Sequence, residues 1–507
     1  DGLAQEVWWH RGRCLAYGEG VAYWALAEMV RSRAGILEGE EPNLALAKMA
    51  AMLEEHIRDP EERAWVEPRL AHLLGLEERA AREQADLFAA WRLFFERLAE
   101  SAPVEMIFED LQWADDALLD FIEYLLEWSR DHPLFILTLS RPEIADRRAT
   151  WGAGKRNFTS LSLEPLSSEA MEKLMRGLVP GLPEEITSRI LDRAQGIPLY
   201  AVETVRMLLD RGLLTKENDE YHPTGPVEDL QVPESLHGLI AARLDGLTPE
   251  ERQLIQDASV LGKTFTKPAL TAIAAMDEVQ LDDHLTTLVR KELLSVQADP
   301  RSPERGQYGF LQDLVKKVAY ETLSKKERRT RHLAFADYLA TSWGGDPEEI
   351  VEILASNLLE AYRAAPEAPD AADIRARARD TLAGAGERAA SLAANEEAQR
   401  YFEQAADLAD DPGAQAGLLE RAGQVASAGA RLEDATNLME RAISLFQAEG
   451  DTHAAARVSA RLGELTWLTG RIEDAIGTME QSFEVLSRDE PDEGFASLAA
   501  QLGRFLF

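Results

Sequence analysis

Val104-Glu-Met-Ile-Phe-Glu-Asp-Leu-Gln-Trp-Ala-Asp115 is the stretch on which the reading of this chain turns. An apolar run, Met106 to Phe108, ends in two adjacent carboxylates, Glu109 and Asp110, and an amphipathic helix is predicted from about Asp116 to Arg130. A second apolar strand, Leu134 to Leu139, ends in Ser140-Arg141. Short apolar runs separated by a helix indicate buried parallel strands, whose ligands gather at the C-terminal ends. Glu109, Asp110 and Arg141 are therefore expected side by side on one edge of a sheet. There a carboxylate pair serves a phosphate-bound Mg²⁺ and an attacking water, and an arginine on the next strand can read a terminal phosphate. The plainer alternative is that the acids cap the next helix, for which Asp115 or Asp116 is a good N-cap.

Working upstream, Glu6 to Cys14 reads as a strand entering the loop Tyr17-Gly-Glu-Gly20, followed by a helix from Tyr23 to Arg33. Residues 36 to 100 have helical periodicity without chemistry, with Leu87, Trp91, Phe94 and Phe95 on a core face. A phosphate loop of the form Gly-x4-Gly-Lys-Ser/Thr must join strand to helix so that its amides face the anion. Gly262-Lys263-Thr264 has Asp257 where the first glycine belongs and follows a helix, and Gly152-Ala-Gly154-Lys155 has Ala149 there. Both read as helix-end or loop glycines.

Downstream of Arg141 a strand is expected at Thr159 to Leu163, then a helix capped by Ser167 or Ser168 and another from Glu184 to Ala194. Gly196-Ile197-Pro198 follows, with Gly196 stopping one helix and Pro198 opening the next. Leu213 to Pro233 reads as a connector. Helices at about Pro233 to Leu244, Pro249 to Leu261 and Leu281 to Lys291 precede a hairpin of Leu293 to Val296 with Gln307 to Phe310, the pattern of a winged helix. Lys316, Lys317, Lys325, Lys326, Arg328, Arg329 and Arg331 make a basic cluster there, read as an intramolecular or solvated face. In the last third, Gly386, Gly423 and Gly463 are each followed twelve positions later by Ala398, Ala435 and Ala475, with Phe402, Met439 and Met479 filling the groove beside them. Small residues at these offsets let the two helices of a hairpin close on each other, as in tetratricopeptide repeats.

The Glu109-Asp110 strand, Trp113-Ala-Asp115, and Thr138-Leu-Ser-Arg141-Pro142 together resemble the Walker B and sensor 1 segments of the STAND class of P-loop (AAA-like) ATPases, chiefly bacterial regulators with helical repeats. Such ATPases sometimes sit behind a class III adenylate cyclase domain. The resemblance implies a partial P-loop core at 1–165, lacking its Walker A segment, a helical lid at 166–230, a winged-helix domain at 231–345 and repeats at 346–507. It thus implies an α/β core followed by all-α domains, cut at both ends. It assigns ATP or ADP with Mg²⁺ as cofactors, Glu109 to the metal side, Asp110 to the metal or the attacking water, and Arg141 to the terminal phosphate. Gly196 and Pro198 would pack the adenine side. Gln312 stands in Phe310-Leu-Gln-Asp313 where the family has a phosphate-sensing histidine. The function implied is an ATP/ADP-dependent signalling switch whose repeats bind a protein or small-molecule ligand. The alternatives are a non-hydrolysing scaffold and the regulatory part of a cyclase.

Composition agrees. A length of 507 residues exceeds one core, and 54 basic against 90 acidic residues give a net charge of −36, which opposes DNA and anionic membrane as partners. The single cysteine, Cys14, excludes an internal disulfide and fits the cytoplasm; no apolar stretch is long enough to span a bilayer.

Overall fold

The computed structural model describes residues 7–506 apart from 15–20, 38, 77–82, 156, 218, 226–232, 234, 275, 298–305, 343–349 and 489–492. The loop Tyr17 to Gly20 and the segment Asp299 to Glu304 lie outside the described residues. The chain divides into two compact units, one of residues 1–158 with 339–507 and one of residues 159–338.

The first unit begins with a parallel sheet in the order β1 (Trp8–Arg13), β2 (Val104–Glu109), β3 (Leu134–Thr138). Arg13 pairs with Glu109 and Phe108 with Thr138, so all three strands end at one edge. Helix α1 (Trp24–Ala34) lies hard against β1: a Cβ at Gly12 would meet the Ala25 carbonyl oxygen at 2.0 Å. Only glycine permits that approach. Helices α2 (Pro42–His56), α3 (Pro60–Leu74) and α4 (Gln84–Ala99) fill the interval before β2. Asp59 caps α3 ahead of Pro60, the preferred first-turn position for proline. On α4, Phe88 and Trp91 are buried and meet Tyr23 and Phe121 edge-on, with Tyr23 and Trp91 centroids 4.8 Å apart. Cys14 is buried, as expected of a small apolar side chain.

Helix α5 (Asp116–Trp128) connects β2 to β3, and the short α6 (Ile144–Arg147) follows. β3 is one of the two outer strands: Phe135 is 60% exposed, and no strand among the described residues pairs with its second side. The strand expected at Thr159 to Leu163 is not formed; Leu161 and Leu163 stand exposed. Alternating leucines make a strand only where a neighbour takes up the backbone hydrogen bonds, and none of the described segments does so.

The second unit opens with α7 (Ser168–Leu178), capped by Ser167, α8 (Glu184–Ala194) and α9 (Pro198–Asp210). The expected connector contains an antiparallel hairpin, β4 (Leu214–Glu217) with β5 (Glu220–Pro223). Next come α10 (Leu236–Asp245), α11 (Pro249–Leu261), β6 (Thr264–Phe265), α12 (Lys267–Ile273), α13 (Glu278–Arg290), β7 (Leu294–Val296), β8 (Tyr308–Phe310), α14 (Asp313–Glu321) and α15 (Lys325–Ser342). The expected hairpin is present as β7 and β8, joined by β6 on the other side of β8. Gly262-Lys263 lies at the end of α11, the helix-end position expected for it. Leu239 of α10 shares one apolar core with Met171, Ile190 and Leu208, so α7 to α9 and the segment that follows them are continuous in packing.

The rest of the first unit is a run of helices: α16 (Val351–Ala364), α17 (Ala371–Ser391), α18 (Asn395–Asp407), α19 (Pro412–Ala428), α20 (Leu432–Glu449), α21 (Thr452–Leu468), α22 (Ile472–Leu486) and α23 (Glu493–Leu506). A Cβ would fall 2.7 Å from the Phe402 ring at Gly386, 2.9 Å from Met439 Cγ at Gly423 and 2.7 Å from Met479 Cγ at Gly463. The glycine and bulky-residue periodicity read from sequence is therefore the seam of each helical pair.

Candidate functional site

Asp110 follows β2 in a left-handed conformation, φ 56°, and starts a 3₁₀ turn over Leu111–Trp113. That turn delivers Asp115 to the N-cap of α5, where one carboxylate oxygen accepts from the Leu118 amide at 2.8 Å and the other from the Tyr23 amide at 3.0 Å. Of the two capping candidates in the sequence, the structure selects Asp115. The capping alternative therefore accounts for Asp115 and leaves Glu109 and Asp110 to other work.

The tips of β2 and β3 interlock: the Leu139 amide donates to Phe108 and the Leu111 amide to Leu139, while the Arg141 amide donates to the Gln112 side chain at 3.2 Å. Glu109, Asp110 and Arg141 thus come to one end of the sheet, and Arg141 is exposed. Sequence reading missed the arginines of β1. Arg11 donates to Glu109 Oε2 at 2.8 Å, and Arg13 reaches the same oxygen at 3.0 Å and Asp110 at 3.8 Å. Burial alone would raise the Glu109 carboxyl; the hydrogen bonds and charges of Arg11 and Arg13 outweigh it and hold the group below its usual value. The signal was available in the alternation Arg11-Gly12-Arg13, which sets two cations on one face of a strand next to β2.

A Mg²⁺-nucleotide fits this edge only in part. The carboxylates and arginines suit one flank of a phosphate. Among the described residues, however, no three His, Cys, Asp or Glu side chains gather to hold a metal, and the sequence has no phosphate loop. Glu109 is neutralised by its arginines, so the ion would have to be carried by phosphate oxygens. No hydrolytic step follows from these residues alone.

The remaining candidates lie in the second unit. Gly196 has φ 79°, and a Cβ there would meet the Leu166 carbonyl oxygen at 2.6 Å; the Leu166 amide donates to the Gly196 carbonyl at 2.8 Å. Pro198 is the first residue of α9. Both positions have a full backbone explanation without a ligand. Gln312 donates to Glu203 on α9, and that buried carboxylate also takes Arg243 at 2.5 Å and Arg206 at 2.6 Å. Gln312 thus joins an internal ionic network. The basic cluster is partly consumed in the same way: Arg331 pairs with Asp257 at 2.5 Å, and burial lowers the Lys316 ammonium to about 7.

Within the first unit the sheet segment is bolted to the repeats. Arg388 of α17 donates to the carbonyls of His72 and Leu73, at 2.8 and 2.9 Å, at the C-terminal end of α3. The Asp116 amide at the start of α5 donates to Glu397 of α18 at 3.3 Å.

Residues 2–137 match the family model for the AAA ATPase domain. An uncharacterized protein of Rhizobium meliloti (strain 1021) is 25% identical over 304 residues, 56% of this chain and 27% of the relative. Adenylate cyclase type 10 of mouse is 24% identical over 234 residues, 38% of this chain and 14% of that enzyme. The chain therefore spans about a quarter or less of the length of the curated relatives it matches. A STAND protein with a tetratricopeptide repeat sensor from Pyrococcus horikoshii aligns over 98% of this chain and 75% of its own, at 12% identity and a TM-score of 0.40. No helix among the described residues is long and apolar enough to cross a membrane. The chain therefore joins an AAA-like ATPase segment, residues 2–137, to an array of helical repeats.

Proposed function

We propose that this chain is the switch and sensor part of a cytoplasmic STAND-type signalling ATPase. Exchange of ADP for ATP would switch the chain between two states, and a protein or small-molecule ligand on the repeats would bias that exchange. By linkage such a ligand must bind the two states unequally. The observation that carries this reading is the common edge of β2 and β3, where Asp110 and the exposed Arg141 lie together within and just beyond the segment that matches an AAA ATPase domain. Asp110 would orient water, Arg141 would meet the terminal phosphate, and Glu109, held by Arg11 and Arg13, would fix the strand ends beside the Mg²⁺–phosphate. Gly196 and Pro198 would line the adenine side. The Asp116–Glu397 hydrogen bond supports coupling, because it ties the loop after Asp110 to the first repeat pair.

The test is nucleotide binding and hydrolysis by the gene's full-length product, wild type against Asp110→Asn. A loss of about 10²-fold or more in hydrolysis, with ATP affinity within a few-fold, supports the switch. A wild-type protein that retains ADP and never hydrolyses ATP supports the scaffold instead. Similarity to a mouse adenylate cyclase favours the further reading of a cyclase regulatory region, which cyclic-nucleotide formation by the same product would establish.

A further inference from the structure

Between the loop that follows Asp110 and the first repeat pair lies a hollow of about 550 Å³, in the size range of pockets for small organic molecules. Seven carboxylates and three guanidinium groups line it. The guanidiniums face it largely satisfied. Arg147 donates to the carbonyls of Gln112 and Ala114 at 3.1 and 3.0 Å and to Asp116 at 3.4 Å. Arg431 donates to the Gln399 side chain at 3.0 Å and the Asn395 carbonyl at 2.9 Å, and Arg400 lies over the Tyr401 ring. Several carboxylates are matched too, Asp115 by two backbone amides, Asp116 by Arg147 and Glu403 by Gln399, and Glu397 stands apart from them. Glu397 is 4% exposed; its Oε1 accepts from the Asp116 amide, while its buried Oε2 meets no donor among the described residues. A buried carboxylate oxygen without a donor is costly, and the usual remedies are a proton or a bound cation.

We propose that this hollow binds a small organic cation bearing ammonium or guanidinium groups, with Glu397 Oε2 and Glu396 as its acceptors and Trp113 as an aromatic wall. An anion is excluded by the lining. A bare metal ion is disfavoured, because no three acidic or histidine side chains among the described residues converge closely enough to hold one. Trp113 lies on the rim, 38% exposed, where an indole can take a cation against its face. The site differs from the nucleotide edge: it uses none of Glu109, Asp110 or Arg141, and it stands whether or not the chain ever binds ATP.

Protonation supports the assignment. Burial raises Asp115 well above its usual value, the charge of Glu397 adding to it, and burial raises Glu397 too. Burial and the charge and hydrogen bond of Asp116 push Glu396 up to about 7. Facing these groups are Glu352 of α16, Arg400 and Glu403 of α18, and Arg431 and Asp434 at the start of α20. The acidic lining thus holds protons where the ligand would place its charge. Binding must then release protons, and affinity must rise with pH, at most tenfold per unit for each proton displaced.

The experiment is calorimetric titration of the whole chain with spermidine and with agmatine at pH 6 and pH 8, with MgCl₂ as competitor. The expected result is binding by at least one of them, severalfold tighter at pH 8, with proton release. Glu397→Gln, of the same shape, should weaken it at least tenfold, while Glu480→Gln, an exposed carboxylate on α22, leaves it unchanged. Because the chain carries a net charge of −36, equal losses in both variants would mean diffuse attraction and overturn the site. Absence of binding tighter than about 1 mM at pH 8, equal affinity at both pH values, or displacement by equimolar Mg²⁺ would overturn it as well. Should Glu397→Gln only stabilise the fold and leave affinity untouched, Glu397 is structural and the proposal fails.

Discussion

Replacing Arg388 by methionine tests how the sheet segment is fastened to the repeats. Arg388 is 5% exposed and donates to two carbonyls in the last turn of α3, an end where a helix favours positive charge. Methionine keeps most of the volume and removes both donors. The Leu73 carbonyl left buried without Arg388 costs about 1–3 kcal/mol, and the His72 carbonyl, which keeps the Gly75 amide, loses one bond of about 0.5–1.5 kcal/mol, so a loss of about 2–4 kcal/mol is expected. Arg388 also opposes the burial that raises Glu352, and its removal makes that carboxyl harder still to ionise. Urea unfolding followed by far-ultraviolet circular dichroism measures the loss, and hydrogen exchange locates it: amides at the end of α3 and in α17 should lose protection first. Arg388→Lys, able to serve one carbonyl at a time, should recover about half. A loss below about 1 kcal/mol for methionine, or full recovery by lysine, would refute the account.

Other outcomes follow from single features. Glu352 is raised to about 8 by burial; between its ordinary value of 4.5 and 8 the folded state binds the extra proton, so stability falls as pH rises through that window, by at most about 1.4 kcal/mol per unit. Glu352→Gln should flatten this slope and raise stability at pH 8, as read by denaturant midpoints at pH 5, 6.5 and 8. Gly463→Ala should cost about 1–3 kcal/mol, because its Cβ meets Met479, and Met479→Ala in the same chain should cost less than the two single losses added together. Gly196→Ala should cost about 1–3 kcal/mol from its left-handed backbone and the Leu166 carbonyl, and loosen the start of α9 in hydrogen exchange.

Much of this fold was legible because local chemistry and tertiary packing agree. The strands at Val104 and Leu134 are apolar runs with clear stops, α8 is found at Glu184–Ala194 as read, and the glycine–bulky pairs of the repeats are physical contacts. The sequence misled where a partner decides the outcome. The alternation of Leu161 and Leu163 with polar neighbours was not enough for a strand without an adjoining one, and a polar connector folded into β4 and β5 because two short segments found each other. The site was half legible: the register delivered Glu109, Asp110 and Arg141 to one edge, but the arginines that claim Glu109 lie more than ninety residues away in the chain. Gln312 was placed by motif; its bond to Glu203 required the fold.

The outer side of β3 has a consequence for anyone handling the protein. A border strand with Phe135 exposed and its outward amides and carbonyls unclaimed by any described strand is an invitation to intermolecular pairing. Purified at high concentration, the polypeptide should precipitate or form soluble aggregates through that border, and Phe135→Lys should keep it dispersed without unfolding it.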